Sequence, residues 1–489
     1  MSMSSVGSMN SFKSILSYVG TPVMWTGATL FLPLFSLLFF PNEQGCMKYF
    51  IAPAVISMLI GYGCTKIVQR EKKVRLSKYQ NAVIITLSWS LAVVIYAMPF
   101  LLTGEYTITQ AVFESTSGWS TTGLSVMNVD TLPKMFLLHR SNMMFFGGVG
   151  IVLIMICFLP GTYGMSLFSA EGHTDMLLPN LMKTSRLILA IYSAFITLGA
   201  VLYVICGMSV FDAINHSITA IATGGFSTRS QSIGYYNSLS IEMVTIFLML
   251  LGTISFMAHV SLLMGKWKTF FNNSEMKATA VICALSVPIV AFAFSAHVET
   301  SLSEGFRVSA FQVVSALSTT GMQTIPDFNA IPSAGFLILV VLMLVGGQSG
   351  STAGGIKQYR VVTMVKSMYW EIRNSCRNNR LRQVEYITKP GSDRLVTQSM
   401  KAETGLFIFV YLLLFALGAL VITFFGYSVD QAIFEVSSAM GGVGLSAGVT
   451  AADAPPVVLW VLIIEMFLGR LEIYVVLFAV VNTFRRNKI

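Results

Sequence analysis

Four short segments of the chain share one pattern of apolar, hydroxyl-bearing and glycine residues. In each segment an uncharged, helix-like run ends in small hydroxyl and glycine residues. The segments are Ser115–Val129, Ala213–Thr228, Val308–Pro326 and Val436–Ala452. Their aligned glycines, 102, 96 and 123 residues apart in turn, are Gly123, Gly225, Gly321 and Gly444. One such match would be weak evidence, but four in register indicate an internal repeat.

These residue types can coordinate a monovalent cation. Backbone carbonyl and hydroxyl oxygens can replace the hydration shell of such an ion, and glycine permits the φ angles that turn carbonyls toward a common axis. Irregular backbone survives at membrane depth only where it is buried or lines a wet cavity. We therefore predict four loops around one ion pore. The predicted filter residues are Thr121, Thr122, Gly123, Thr223, Gly224, Gly225, Thr319, Thr320, Gly321, Gly442, Val443 and Gly444.

The same small residues could instead serve only close helix packing, as small-xxx-small motifs do. That explanation accounts neither for the fourfold register nor for the position of all four segments on one side of the membrane. The short helices before the loops would direct their partly negative C-terminal ends at the axis, which favours a cation. Glu114, His216, Gln312 and Glu435 occupy equivalent places, nine residues before the four glycines.

The elements that carry these loops follow from composition. Of 489 residues, 54% are hydrophobic and 11% are charged, whereas a soluble protein carries about 25% charged residues. An ordinary soluble enzyme is excluded, and a polytopic membrane protein is predicted. Ten apolar windows are long enough to span a bilayer. They are Ser14–Asn42, Tyr49–Thr65, Tyr79–Gly104, Ser141–Ala170, Leu187–Phe211, Met243–Gly265, Ala278–Val298, Phe328–Ile356, Thr404–Val429 and Ala454–Phe484.

Basic residues orient these spans. With a cytoplasmic N-terminus, 25 of the 31 lysines and arginines lie inside and five lie outside, while Arg470 lies within a span. This asymmetry predicts that both termini are cytoplasmic and that the four short segments are on the outer side. The basic linker at 358–401 either follows the same rule, binds anionic lipid or docks a protein partner. No basic stripe interleaves with aromatic residues, so no nucleic-acid partner is expected.

The predicted fold is an all-α polytopic membrane protein. Four pseudo-symmetric helix–pore-loop–helix repeats surround one ion pore, and an N-terminal helix pair precedes them. The predicted boundaries are the pair at 1–78, repeats at 79–160, 187–265, 278–357 and 404–484, pore loops at 106–130, 212–235, 304–327 and 430–452, and the linker at 358–401.

At this point the chain resembles the superfamily of K⁺ transporters that contains the Trk, Ktr and plant HKT proteins. The run Gly346–Lys357 is similar to the most distinctive signature of that family. Met208–Ile214 and Ala222–Thr228 resemble its second repeat, and Leu468–Glu472 resembles its final helix. The additional N-terminal pair, Thr21 to Thr65, favours the TrkH/TrkG branch over the shorter KtrB type.

The resemblance implies a K⁺-selective subunit of a potassium uptake system in the bacterial inner membrane, and not an enzyme. It implies a homodimer in which each subunit has its own pore. A cytoplasmic RCK-type (TrkA-like) partner would bind nucleotide and control gating, so K⁺ is expected as substrate and no organic cofactor on this chain. In the family, four filter glycines accompany K⁺ preference, whereas serine in the first loop accompanies Na⁺ permeation. This chain has four glycines, although loop 4 lacks the Thr-Thr of loops 1 and 3.

The resemblance also implies a mobile intramembrane gate below the filter. Its five glycines disfavour a helix by about 1 kcal/mol each, and a kinked, tightly packed span is the alternative. Arg470 costs roughly 2.5–3.5 kcal/mol in a membrane, so it either faces the pore as an electrostatic barrier or pairs with Glu465 or Glu472. The predicted gate residues are Gly346, Gly347, Gln348, Ser349, Gly350, Ser351, Thr352, Ala353, Gly354, Gly355 and Arg470.

Two other classes of function remain open from the residues. A Na⁺- or H⁺-coupled carrier of the same fold is the nearer one, although the repeats here all start on the same side and are not inverted. An intramembrane serine protease is the more distant one, because Gly347–Gly350 matches the GxSG motif of rhomboid-type proteases. Its nucleophile would be Ser349 and its base His259.

Overall fold

The computed structural model describes residues 3–67, 78–150, 181–298, 301–328, 331–376, 385–389 and 392–485. The helices before the third repeat are α1 Met3–Thr29, α2 Met47–Ile67, α3 Lys78–Thr103, α4 Ile108–Trp119, α5 Lys134–Val149, α6 Leu181–Ile205, α7 Val210–Ile221, α8 Leu239–Thr253, α9 Phe256–Leu263 and α10 Trp267–Phe271. Those that follow are α11 Ser274–Val298, α12 Leu302–Leu317, α13 Ser333–Val345, α14 Gln358–Ser375, α15 Gln398–Phe424, α16 Val429–Gly441, α17 Pro456–Arg470 and α18 Ile473–Arg485. Short 3-10 helices occupy Leu32–Leu38, Pro41–Cys46 and Ser232–Tyr236.

The described residues contain six helical segments that are long and apolar enough to cross a membrane. A seventh results if α8 and α9 are counted as one span. The six are Ile15–Leu38, Pro41–Lys66, Gln80–Thr103, Met182–Ile205, Ser274–Ser295 and Gln398–Phe424. They comprise the N-terminal pair and the first span of each repeat; within the described residues, the helices of the second spans are shorter or broken.

Two spans that the sequence predicts as continuous are broken, and the prediction is wrong there. Within Met243–Gly265, α8 and α9 meet at a 103° bend, because the Ser255 hydroxyl accepts the Ala258 N–H and starts a new helix. Within Ala454–Phe484, α17 and α18 separate at Glu472, whose φ is 53°. The part of predicted span Ser141–Ala170 beyond residue 150, which includes the end of predicted repeat 1, lies outside the described residues.

Each repeat consists of a first span, a short pore helix, an irregular filter loop and a second span. The pore helices are α4, α7, α12 and α16, and each begins at a hydroxyl N-cap that accepts a backbone N–H from the first turn. These caps are Thr107, Ser209, Ser301 and Ser428. Such a cap stabilises a helix by about 1 kcal/mol, which fixes where each pore helix starts.

The four repeats close into a ring. The second span of each repeat packs on the pore helix of the next repeat: α5 on α7, α8 on α12, α13 on α16 and α17 on α4. Because the last contact returns to the first repeat, the pore helices surround one axis. Their C-terminal halves are buried, as Trp119 at the end of α4 illustrates.

Two further parts flank this ring. Helices α1 and α2 pack closely on each other, and both contact α3 of the first repeat. The predicted basic linker contains α14 and a hairpin, in which β1 Tyr386–Lys389 pairs antiparallel with β2 Ser392–Leu395. Residues 377–384, 390 and 391 of that linker lie outside the described part of the chain.

Candidate functional site

The four irregular segments after the pore helices share one backbone conformation. We name them filter loops 1 to 4, at residues 120–127, 222–229, 318–325 and 442–449. A first left-handed position, with φ of 55°, 51°, 55° and 67°, is held by Thr121, Thr223, Thr319 and Gly442. A second, with φ of 99°, 73°, 74° and 98°, is held by Gly123, Gly225, Gly321 and Gly444. Loop 4 therefore keeps the fold of the other loops although glycine replaces the threonine.

The loops contact one another in a closed ring. A Cβ atom on any of the four filter glycines would overlap a backbone carbonyl oxygen of another loop. The pairs are Gly123 with Gly224, Gly225 with Thr320, Gly321 with Val443, and Gly444 with Thr122. Loop 1 thus meets loop 2, loop 2 meets loop 3, loop 3 meets loop 4, and loop 4 returns to loop 1. The carbonyl oxygens of Thr122, Gly224, Thr320 and Val443 form an equivalent set of four around the axis.

Each of these four residues is also held by its own pore helix. Their N–H groups donate to carbonyl oxygens five residues earlier, at 2.8 to 3.0 Å. The acceptors are Ser117, Thr219, Ser315 and Ser438. The carbonyl ring is therefore carried by backbone bonds to rigid helices.

The four equivalent positions singled out in the pore helices connect each helix to the chain that leaves the filter. The Glu114 carboxylate accepts the Ser125 hydroxyl at 2.9 Å and the Val126 N–H at 3.2 Å. The Glu435 carboxylate accepts the Ser446 hydroxyl at 2.9 Å and the Ala447 N–H at 3.0 Å. Both side chains have no exposed surface.

At the equivalent position of repeats 2 and 3 the side chains carry no carboxylate, and they contact the filter loop with fewer bonds than Glu114 and Glu435. His216 Nε2 lies 2.8 Å from the Ser227 hydroxyl, and Gln312 Nε2 donates to the Thr324 hydroxyl at 3.2 Å. All four side chains thus fix the outer part of a filter loop against its pore helix. This explains why acidic, imidazole and amide groups recur at one position of the repeat.

Near filter loop 2, an arginine and an aspartate form an ion pair. Arg229 Nη2 lies 3.2 Å from Asp212 Oδ2, and the Thr228 hydroxyl donates to Oδ1 of the same carboxylate at 2.7 Å. Burial opposes the charge of Arg229, but the Asp212 carboxylate outweighs it and raises the pKa of the guanidinium. The pair therefore remains ionised.

The predicted gate residues 346–355 form an irregular loop, which we call the gate loop. It lies beside the filter loops, on the side of the filter that faces α14. The Thr352 hydroxyl lies 2.9 Å from the Ile221 carbonyl oxygen and 3.0 Å from that of Gly252. The Gly354 N–H donates to the Thr319 hydroxyl at 2.7 Å. Pore helix α7 and filter loop 3 are therefore both in contact with the gate loop.

Two further contacts bring the gate loop to the filter. The Thr223 hydroxyl lies 3.3 Å from the Thr352 hydroxyl, and a Cβ on Gly354 would overlap the Gly441 carbonyl oxygen. The hydroxyls of Thr223 and Thr319, at the first left-handed position of the filter, thus contact the gate loop.

The first half of the gate loop is anchored to the bend between α8 and α9. The Gln348 N–H donates to the Thr253 carbonyl at 3.2 Å, and Gln348 Oε1 accepts the Ser255 N–H at 3.2 Å. The Ser349 N–H donates to Glu275 Oε1 at 2.8 Å. The break in this span, which the sequence does not predict, therefore supplies groups that hold the first half of the gate loop in place.

Arg470 reaches the gate loop from the end of α17. Its Nη1 donates to the Thr352 carbonyl at 3.1 Å, and its Nη2 donates to the carbonyls of Gly147 and, at 3.2 Å, Gly148. The guanidinium thus joins repeat 4, the gate loop of repeat 3 and the second span of repeat 1. Glu472, one of the two ion-pair partners considered from sequence, lies 2.8 Å from Arg360.

The two residues of the protease alternative are not hydrogen-bonded to each other. His259 Nε2 bonds the Leu251 carbonyl at 2.9 Å, and its ring lies 4.8 Å from that of Phe195. No hydrogen bond in the described part of the chain joins His259 to Ser349. The same part of the chain contains no group of three or more His, Cys, Asp and Glu residues that could hold a metal ion.

One buried residue beside the filter loops is not among the predicted site residues. Arg140, on α5, is predicted only as one of the outer basic residues, yet it is 2% exposed and ion-paired with Glu114 at 2.7 Å. Arg140 directly precedes the predicted second span Ser141–Ala170, and an arginine at the edge of an apolar window is the signal that could have identified it, because a buried charge requires a partner.

Comparison with known proteins identifies the family. The family model TrkH, described as a cation transport protein, matches residues 48–486. The Trk system potassium uptake protein TrkH of Halomonas elongata is 30% identical, covering 98% of this chain and all of its own. TrkH of Escherichia coli strain K12 is 30% identical over 97% of this chain and all of its own.

A solved structure shows the same architecture. The crystal structure of the potassium transporter TrkH from Vibrio parahaemolyticus matches with a TM-score of 0.82 at 28% identity, covering 95% of this chain and 98% of that one. The predicted fold class, with its four repeats and N-terminal pair, is confirmed. From the family model and its relatives, this chain belongs to the TrkH family of cation transport proteins.

Proposed function

We propose that this chain is the K⁺-selective, ion-translocating subunit of a Trk-type potassium uptake system. The observation that carries the proposal is the closed ring of four filter loops, in which the carbonyls of Thr122, Gly224, Thr320 and Val443 occupy one equivalent position. The potassium named for the relatives supports K⁺ as the ion. The predicted filter residues are its proposed binding site.

Selectivity would follow from the ring contacts. An ion that enters the filter exchanges its hydration shell for carbonyl oxygens. Because each filter glycine lies directly against the carbonyl of the next loop, the loops cannot move independently. A ring held in this way suits one ion size, and a smaller ion such as Na⁺ would be coordinated less well.

Gating would follow from the gate loop and Arg470. The loop lies at the inner end of the filter and is held by Thr352, Gly354 and Arg470. A guanidinium beside the ion path also raises the electrostatic energy of a passing cation. An open state requires those hydrogen bonds to break. The neutral bonds are worth about 1 kcal/mol each, and the bond from the charged guanidinium is worth about 1.5–3 kcal/mol. We propose that a cytoplasmic RCK-type partner with bound nucleotide supplies this free energy.

The proposed assembly is a homodimer in the bacterial inner membrane, with a pore in each subunit and both termini in the cytoplasm. The asymmetry of 25 inner against five outer basic residues supports this orientation. The predicted domain boundaries belong to the same proposal.

The test is ion competition in liposomes that contain the purified full-length chain together with its partner. Uptake of radioactive Rb⁺ is measured against added K⁺, Rb⁺, Na⁺ or Li⁺. We expect K⁺ and Rb⁺ to compete far better than Na⁺ and Li⁺. Equal competition by all four ions would contradict K⁺ selectivity. Uptake that requires a Na⁺ or proton gradient, rather than a K⁺ gradient alone, would support the coupled carrier instead.

A further inference from the structure

The boundaries between neighbouring filter loops are built in different ways. After loop 2, the Gly234 N–H donates to the Gln323 carbonyl of loop 3 at 3.0 Å. After loop 4, the Ala452 carbonyl accepts Gln110 Nε2 of pore helix α4 at 2.9 Å. At these two boundaries the bonds closest to the filter loops are neutral hydrogen bonds.

The boundary between loops 3 and 4 is apolar. The Phe328 ring, which follows loop 3, lies 5.3 Å from the Phe434 ring on α16, centroid to centroid. Phe434 has no exposed surface and Phe328 has 1%. Dispersion contacts between these buried rings connect the repeats here.

The boundary between loops 1 and 2 contains a buried charge. Arg140 Nε lies 2.7 Å from Glu114 Oε1, and Arg140 Nη1 donates to the Ser227 carbonyl at 3.0 Å. The guanidinium carbon lies 3.8 Å from the centre of the Phe226 ring. One side chain thus contacts a pore helix of repeat 1 and two consecutive residues of filter loop 2.

These contacts reach both loops close to the filter glycines. Glu114 holds Ser125 and Val126, which follow Gly123 by two and three residues. Phe226 and Ser227 directly follow Gly225. Arg140 therefore cross-links the outer ends of loops 1 and 2, at the boundary where Gly123 lies against the Gly224 carbonyl.

The equivalent glutamate of repeat 4 holds its filter loop with donors from its own repeat. Glu435 is equally buried, and its hydrogen-bond donors in the described residues are Ser446, Ala447 and Thr450. Glu114 accepts the equivalent bonds from Ser125 and Val126, but Arg140 takes the place of Thr450. Repeat 1 therefore obtains its third donor from a side chain that also reaches filter loop 2, which repeat 4 does not.

We propose that Arg140 is a positioning residue that fixes the separation of filter loops 1 and 2 and thereby contributes to the preference for K⁺ over Na⁺. The proposal rests on the proposed K⁺ function. Arg140 does not bind the ion, since it acts through Glu114, Phe226 and Ser227. Loss of the cross-link lets the two loops change their spacing, so the ring accommodates a second ion size.

The test compares variants of the full-length chain by the ratio of K⁺ to Na⁺ effectiveness in Rb⁺ uptake competition. Arg140→Lys keeps a positive charge beside Glu114, but a single ammonium lacks the planar fork that also reaches Ser227 and stacks on Phe226. Glu114→Gln with Arg140→Met removes both charges together, which avoids a lone buried carboxylate. Outer-shell residues that orient metal ligands typically contribute 10- to 100-fold to affinity, so we expect each variant to lower the ratio about tenfold.

The matched control is the other arginine–glutamate pair at the filter end. Arg307 contacts Glu242 at 2.6 and 2.7 Å, joins α12 to α8, and makes no bond to a filter loop among the described residues. Glu242→Gln with Arg307→Met makes the same charge change. We expect it to leave the K⁺ to Na⁺ ratio at the wild-type value.

The outcomes separate the two proposals. A wild-type chain without K⁺ preference refutes the proposed function itself. If the wild type discriminates and Arg140→Lys keeps the full ratio, Arg140 only neutralises Glu114 and the inference is overturned. If the double variant yields no folded protein, the lysine variant decides alone. A fall in the control equal to that in the Arg140 variants would also overturn the inference.

Discussion

Replacing Gly123 by serine perturbs the filter ring at one defined contact. Gly123 has φ of 99°, and a Cβ atom there would overlap the Gly224 carbonyl oxygen of the neighbouring loop. Serine also adds a hydroxyl at the ring. The substitution therefore acts on the conformation of loop 1 and on its distance from loop 2.

The expected free-energy cost of Gly123→Ser has two parts. An L-residue with positive φ costs of order 1–2 kcal/mol, which glycine avoids. The overlap adds to this, because the Gly224 carbonyl must move and is one of the four proposed ion ligands. Since 1.4 kcal/mol corresponds to tenfold in a binding ratio, we expect the K⁺ to Na⁺ competition ratio to fall about tenfold or more.

A matched control separates the effect of the overlap in the filter ring from the free-energy cost of a side chain at a positive φ angle. Gly207, between α6 and α7, has φ of 95°, but no atom lies within 4 Å of its Cβ position. Gly207→Ser should therefore carry the cost of the positive φ angle alone, without changing the competition ratio. Rb⁺ uptake by both variants is measured in liposomes, and thermal unfolding of the same preparations gives their stability. A wild-type ratio in Gly123→Ser, or an equal fall in Gly207→Ser, would refute the argument from the ring.

Three further predictions concern the gate and the orientation. Arg470→Ala should raise Rb⁺ uptake and reduce its dependence on the partner, since its bond to the gate loop and its two bonds to α5 are lost; unchanged uptake by well-folded protein would contradict this. Thr352→Val removes the hydroxyl that donates to the Ile221 and Gly252 carbonyls and accepts from Thr223. At about 1 kcal/mol for one such bond, basal uptake should rise at least about fivefold at an unchanged K⁺ to Na⁺ ratio, and an altered ratio would place Thr352 in the filter. An impermeant thiol reagent added outside should label Ser428→Cys but not Arg380→Cys in a chain whose own cysteines are replaced, and the reverse pattern would overturn the orientation.

The backbone conformation of the filter loops could be predicted from sequence because it depends on nearby residues. The positive φ angles require glycine or tolerate threonine within four residues of each pore helix, so the pattern is visible four times in the chain. Filter loop 4 is the one of the four that departs from this sequence pattern. Its Gly442 replaces threonine but adopts φ of 67°, so the missing hydroxyl does not change the backbone.

The breaks in the second spans could not be predicted in the same way. Hydropathy is continuous across Ile254 and Ser255, and one serine N-cap decides the bend between α8 and α9. The contacts of Arg140 and Arg470 also could not be predicted from the sequence. Both arginines bond backbone carbonyls of other repeats, and backbone carbonyls carry no signature in the sequence.

The most direct test of the ring is to locate an ion in it. Crystals of the protein grown with Rb⁺ in place of K⁺ give an anomalous signal at bound Rb⁺ sites. The account predicts a peak on the axis, surrounded by the carbonyl oxygens of Thr122, Gly224, Thr320 and Val443, that weakens when K⁺ is added and persists when Na⁺ is added. A filter without a peak, or a peak that Na⁺ removes as readily as K⁺, would contradict the account.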